Sequence, residues 1–220
     1  MEYLQERQAI VDTAREISIS GMVIGTWGNV SIKIKDQPLI LITPSGMDYL
    51  SMAPEDIVLV DMAGQTTWGQ QWKPSTELPL HQAIYEHRPD LGAIVHVHST
   101  YATAFAAARQ SIPVILEETA QVIGHDILTV PYELAGSQDL AARAVQTLGT
   151  GKALLLANHG LVGMGKNVNE ALRVCRIAEE TARIALLAKS LGRVYALTPE
   201  EVSILHRGFR NYGQSKTTIT

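Results

Sequence analysis

Along the chain, apolar positions alternate between helical and strand spacing, and the changes of period mark out the elements. From about Glu2 to Ser20 the residues Leu4, Ile10, Val11, Ala14 and Ile17 recur at helical intervals among charged neighbours, and Gly21 offers a stop. A glycine-rich turn at 25–29 precedes Val30–Ile34, which alternates like a half-exposed strand. Pro38–Thr43 reads as its hairpin partner, closed by Pro44-Ser45-Gly46, and Ile57–Val60 as a further strand ending at the turn 61–64. The stretch Ser75–Glu86 predicts a helix capped by Ser75 or Thr76, with Glu77 in its first turn and Pro79 early enough to be tolerated. Ala93–His98 is a short buried strand, and Ser99–Arg109 an alanine-rich helix.

Pro113–Gly124 fits strand or helix, whereas Ile127–Val130 fits a strand. Ser137 caps a helix to about Leu148, strands are expected around 153–157 and 161–164, and Asn167 opens the longest helix, to about Leu191. Thr198-Pro199-Glu200-Glu201 carries a capping signature for a last helix ending near Tyr212-Gly213. The tail 214–220 lacks an apolar face, which predicts a flexible end to a domain spanning 1–213. No repeat or linker interrupts this alternation, so the pattern specifies one α/β domain.

Composition narrows the possible partners. With 46% apolar residues and a formal charge of −4, the chain has an ordinary globular profile. No cluster of lysine and arginine with interleaved aromatics suggests nucleic acid. Apolar runs stop at about six residues, far short of the ~20 needed to span a bilayer, so no membrane partner is expected. The acidic, amphipathic start is unlike a signal peptide, and a single cysteine, Cys175, fits a reducing compartment, so a cytoplasmic location is expected.

Candidate chemistry centres on His96-Val97-His98. In a strand, residues two apart leave on one face, so both imidazoles can reach one ion. His159, in Asn158-His159-Gly160, follows another apolar strand. Three histidines with an open fourth position make a catalytic zinc site; the competing reading is three separately satisfied core histidines. Gly28-Asn29, Ser45-Gly46 and Ser75-Thr76 each combine backbone amides with polar side chains that could hold an anion, although turns and caps use the same residues. Glu77, beside the last of these, could be a fourth ligand, a general base, or both in turn, or simply a carboxylate favoured by a helix start. Cys175 reads as core packing, and His81, His87, His125 and His206 lack partners at ligand spacing. Trp68 and Trp72 read as local packing.

In order, Gly28-Asn29-Val30-Ser31, Thr43-Pro44-Ser45-Gly46, Ser75-Thr76-Glu77, His96-Val97-His98 and Asn158-His159-Gly160 resemble the class II aldolase/adducin family over nearly the whole chain. The resemblance implies a central, mainly antiparallel sheet flanked by helices, in a homotetramer with sites between neighbouring subunits. It implies one Zn(2+) per subunit on His96, His98 and His159, with Glu77 ligating the resting metal and then shuttling protons. Gly28, Asn29, Ser45, Gly46, Ser75 and Thr76 would bind the phosphate of a sugar-phosphate substrate, and Tyr212 would protonate the leaving aldehyde oxygen. The implied reaction is cleavage of a ketose 1-phosphate, fuculose-like or another deoxysugar, to dihydroxyacetone phosphate and a short aldehyde through a metal-stabilised enediolate. The same scaffold also carries pentulose-phosphate 4-epimerases, methylthioribulose-1-phosphate dehydratases and, less in keeping with an intact ligand set, non-catalytic adducin-like modules. Two positions depart from the aldolase pattern. Glu117 stands where the aldolases have a tyrosine, and a carboxyl there suits different acid–base work. Ala135 replaces an aromatic expected near the aldehyde.

Overall fold

A computed structural model describes residues 1–66 and 71–209. Its centre is one seven-stranded sheet: β1 (Asn29–Lys33), β2 (Leu39–Ile42), β3 (Val58–Asp61), β4 (Ala93–Val97), β5 (Leu128–Val130), β6 (Ala153–Leu156) and β7 (Gly160–Gly165). The strand order is β3-β2-β1-β4-β7-β6-β5, and every pairing is antiparallel except β5 with β6. The helices are α1 (Leu4–Ile19), α2 (Leu78–His87), α3 (Thr100–Ala107), α4 (Glu117–Val122), α5 (Gln138–Leu148), α6 (Val168–Leu191) and α7 (Pro199–Phe209). This is the α/β domain that the pattern predicts, with the mainly antiparallel sheet that the family resemblance implies.

Strand alternation divides the core into two layers. Val95, Val97, Leu155 and Leu161 face a core shared with Ile10 and Ile17 of α1, Phe105 of α3, and Cys175 and Ala178 of α6. Ile94, Leu154, Leu156 and Val162 face the opposite core with Leu80 and Ile84 of α2 and Leu140 and Ala144 of α5. With helices on both faces, β4 and β6 are wholly buried, which explains why they read as continuous apolar runs. His96 belongs to the α2 face, two residues after Ile94.

One local expectation changes and two further details are settled. Glu77, not Ser75 or Thr76, occupies the position before the first turn of α2, because Pro79 has no N–H and its ring tolerates only the start of a helix. Ser75 instead closes a turn, its carbonyl accepting from Leu78 N–H at 3.1 Å. The ambiguous segment 113–124 contains α4, preceded by an isolated bridge between Ile112 and Ile127 that leaves β5 starting at Leu128. At α3, the Glu179 carboxylate caps the helix by accepting the N–H groups of Tyr101 and Ala102, at 2.9 and 2.8 Å, while the Ser99 hydroxyl does not. Asn167 and Ser137 cap α6 and α5 as their sequence signatures predict. Cys175 is buried against Val95, and burial pushes its thiol up to about 12, in keeping with packing rather than reactivity. Trp72 donates to Asp56; Trp68, Tyr212 and the tail 214–220 lie outside the described residues. No helix of the described residues is long and apolar enough to cross a membrane.

His125 ties two segments together: Nδ1–H donates to the Asp126 carbonyl at 2.7 Å, and Nε2 accepts from Lys152 N–H at 3.1 Å. Burial, the leading cause, holds its pKa below the ordinary 6.5. The unfolded chain therefore takes up a proton below that value which the folded chain resists. The resulting stabilisation is complete above it and is lost as pH falls through the folded pKa. Between about pH 7 and about pH 5, the melting temperature of His125→Gln should fall less steeply than that of the native chain. Equal slopes would refute this role.

Candidate active site

The site forms at one end of the central strands. Antiparallel register sets Asn29 of β1 opposite His96 of β4, so their side chains share a face. His98 follows β4 and is held there by its N–H, which donates to the Met22 carbonyl at 3.0 Å. His159 is presented by the turn joining β6 to β7, closed by His159 N–H to the Leu156 carbonyl at 3.0 Å. Asn158, just before it, has φ 57°, a left-handed conformation that asparagine tolerates better than most side chains. Gly28 turns the chain into β1 at φ +80°, and a Cβ there would lie 2.6 Å from the His96 carbonyl oxygen.

The three rings converge. His96 Nε2 is 3.0 Å from His98 Nε2 and 3.2 Å from His159 Nε2, and the ligand atoms of all three lie within 4.8 Å of one another. Glu77 reaches the same point, Oε2 at 3.2 Å from His96 Nε2 and Oε1 at 3.5 Å from His159 Nε2. His96 Nδ1 is 3.0 Å from the Leu161 carbonyl, which only accepts, so Nδ1 carries a proton and Nε2 is the nitrogen turned toward the cluster. Burial, with the neighbouring rings, pushes His98 down to about 3 and His159 down to about 4, so both are neutral near pH 7. Burial alone would raise the Glu77 carboxyl. The facing His96 and His159, the Asn29 amide and His81 outweigh it and hold the group below the usual carboxylate range.

These donors fit a divalent metal. Ligand atoms about 2.0–2.1 Å from a tetrahedral zinc stand roughly 3.3 Å apart, close to the spacings found. The Nε2 atoms of His98 and His159 crowd to within hydrogen-bond distance of His96 Nε2, as ligands of one ion would, and Glu77 Oε1 is buried without a hydrogen-bond partner. Neutral imidazoles with one carboxylate are a zinc-type donor set. His96, His98, His159 and Glu77 would hold the ion.

Beside the cluster is a cavity of about 210 Å³ lined by Gly28, Asn29, Ser45, Gly46, Ser75, Thr76, Glu77, Ala135 and His159, among others. The three polar loops singled out in the sequence thus meet on one wall. A larger groove, about 990 Å³, opens at the other end of β1 around Lys33, Ile34 and Gly92. No group of three or more metal-ligating residues other than the histidine triad occurs among the described residues. Ala135 is brought into the site cavity. Glu117, exposed at the start of α4, is not; it lines a separate hollow with Ile115, Leu116, Glu118 and Gln121.

Asn29 lines this cavity and also reaches inward. Its Nδ2 donates to Glu77 Oε2 at 2.7 Å, and its Oδ1 meets His81 Nε2 at 2.6 Å. Sequence reading set His81 aside for want of ligand spacing. Its i+4 offset from Glu77, across the first turn of α2, was the available signal.

The family model for the class II aldolase and adducin N-terminal domain matches residues 8–186. A 5-deoxy-D-ribulose 1-phosphate aldolase of Bacillus thuringiensis is 36% identical over 210 residues, covering 96% of this chain and 98% of the relative. The L-fuculose phosphate aldolase of Escherichia coli is 34% identical over 214 residues, covering 97% and 98%. Among solved structures, an L-fuculose 1-phosphate aldolase superposes with a TM-score of 0.90 at 32% identity, covering 94% of this chain and 96% of that one.

Proposed function

The chain belongs to the class II aldolase and adducin family and is a lyase of the aldolase type, and from that premise we propose a zinc-dependent aldolase that cleaves a deoxyketose 1-phosphate to dihydroxyacetone phosphate and a short aldehyde. One observation carries this reading: three imidazoles and a buried, unpartnered carboxylate oxygen converge beside a cavity lined by three polar loops. When bound, the cation supplies positive charge to the oxygens beside the breaking carbon–carbon bond.

The chain's own residues do the rest. Backbone N–H groups and hydroxyls of Gly28, Ser45, Gly46, Ser75 and Thr76 hold the phosphate and fix the reacting carbons at the cluster. Asn29 lines the same wall, with its amide committed to Glu77 and His81. Cleavage leaves an electron pair on the carbon next to the ketone, and Glu77 delivers a proton there through Oε1, having first taken one up from solvent. The hydroxyl proton of the departing aldehyde falls to another group, and Tyr212 and Glu117 are the candidates. Glu117 lies outside its own chain's cavity, so its use requires a site shared with a neighbouring copy, as in the homotetramer the resemblance implies. Ala135 offers the cavity only a methyl group, an apolar contact that suits a deoxygenated chain terminus of the kind named for the Bacillus thuringiensis relative. The lone, buried Cys175 is compatible with work in the cytoplasm.

The test is a coupled assay for dihydroxyacetone phosphate on a panel including 5-deoxyribulose 1-phosphate and fuculose 1-phosphate, with metal content and light scattering on the same preparation. Cleavage abolished by a chelator and restored by zinc is expected. Absence of dihydroxyacetone phosphate across the panel would leave 4-epimerisation or dehydration on the same scaffold. A protein that binds no zinc would point to a non-catalytic module.

A further inference from the structure

Behind Glu77 runs a file of buried polar side chains that leads away from the cavity. Asn29 Nδ2 is 2.7 Å from Glu77 Oε2, His81 Nε2 is 2.6 Å from Asn29 Oδ1, Ser31 Oγ is 2.7 Å from His81 Nδ1, and Tyr85 Oη is 2.7 Å from Ser31 Oγ. Asn29, Ser31, His81 and Tyr85 are each at most 2% exposed. Strand β1 supplies Asn29 and Ser31, two residues apart on one face, and α2 supplies His81 and Tyr85, four apart on one side.

The direction of every bond follows from its Glu77 end. A carboxylate only accepts, so Asn29 must turn its NH₂ toward Glu77 and its carbonyl oxygen toward His81. That oxygen also only accepts, so His81 carries its proton on Nε2. Its Nδ1 faces the Ser31 hydroxyl, 2.7 Å away, which can donate to it. Ser31 O–H then donates to Nδ1, and Tyr85 O–H donates back to Ser31, with Oγ at 2.7 Å and the Ser31 carbonyl at 3.1 Å as its acceptors. Reversing any one of these bonds would bring two acceptors or two donors face to face.

We propose that His81 is a positioning residue: by holding the Asn29 carboxamide in one orientation, it fixes Glu77 through Oε2 and leaves Oε1 free at the imidazole cluster. A carboxamide is nearly symmetric in shape, so packing alone does not choose between its two orientations. His81 fixes that choice from one side as the Glu77 carboxylate does from the other, and the Ser31 hydroxyl, which can donate or accept, pairs with the ring nitrogen they leave. The carboxylate is thereby tethered at one oxygen and available at the other, which suits a group that both touches a cation and handles a proton. The inference rests on the aldolase reading for the use of Oε1, but the tether itself is a statement about the fold.

The experiment compares the full chain with His81→Phe, His81→Gln and Ser31→Ala. Each metal-stripped protein is titrated with Co(2+), whose visible absorption reports its ligands, and each zinc-loaded protein is assayed for cleavage. His81→Phe removes both ring hydrogen bonds at similar volume, and should weaken cobalt binding and lower kcat by about 10–100-fold, the usual effect of losing a partner that orients a ligand. KM should change less than about threefold, because the phosphate loops are untouched. His81→Gln can still donate to Asn29 and should return both quantities to within about fivefold of the native chain. Ser31→Ala, a small change expected to fold, should act in the same direction as Phe, with an altered cobalt spectrum. If His81→Phe does not fold, Ser31→Ala and His81→Gln decide. A native cobalt spectrum and kcat within about twofold in the folded variants would overturn the proposal even if their melting temperatures fall. If the native chain binds cobalt but cleaves no sugar phosphate, the aldolase reading fails, and the cobalt comparison still decides the role of His81.

Discussion

Glu77→Gln should lower the rate of dihydroxyacetone phosphate release by about 10³-fold, equivalent to about 4 kcal/mol in the barrier. The substitution keeps size and shape, and its carbonyl oxygen can still accept from Asn29 Nδ2, as Glu77 Oε2 does. It removes the negative charge, and it replaces the buried, unpartnered Oε1 with a group that cannot take a proton. Three imidazoles remain, so zinc retention should weaken only by about tenfold. His96→Ala should behave differently, losing metal and cleavage together, because His96 Nε2 is within 3.2 Å of Glu77, His98 and His159. Zinc content and initial rates on the same preparations separate the two outcomes. Cleavage by Glu77→Gln within tenfold of the native rate would remove Glu77 from the proton-handling role. Zinc lost in proportion to rate would reduce it to a ligand.

Gly160→Ala, a change of one methyl group, should cost about 1–3 kcal/mol of stability and most of the activity. A Cβ at Gly160 would lie 2.5 Å from the Val97 carbonyl oxygen, 2.9 Å from His98 Cδ2 and 3.1 Å from His96 Cε1. The first is backbone in the adjoining strand and cannot rotate away. Relief must come from separating β7 from the end of β4, where the two ring ligands sit. In a chain of this size the expected fall in melting temperature is roughly 3–10 °C. Displacing the rings by about 1 Å should lower kcat by about 10²-fold. Denaturation midpoints and assays at saturating zinc check both. A variant with native stability and rate would show that the strands separate there without consequence for the cluster.

Much of this organisation could be read from the chain. Helical spacing located α1, α5 and α6 to within a residue or two, and Ser137 and Asn167 marked two helix starts because capping is a local hydrogen bond. His96 and His98 were legible as a pair because strand geometry forces residues two apart onto one face. The motif order was enough to suggest the family. The convergence of the three polar loops was not legible, since each alone is indistinguishable from an ordinary turn.

By itself, then, the sequence determined the periodic elements, the shared face of His96 and His98, and the inventory of donors. Only the tertiary structure decided how those donors are spent. Glu77 and Asn29 are 48 residues apart, Ser31 and His81 50, and His96 and His159 63. Each meeting depends on β1 lying beside β4, β4 beside β7, and α2 packing over their shared face. Periodicity is set within a few residues, whereas the partner of a buried polar group is set by whichever strands and helices burial brings together. That is why His81 looked unattached in the chain, and why in the fold it stands two hydrogen bonds from Glu77.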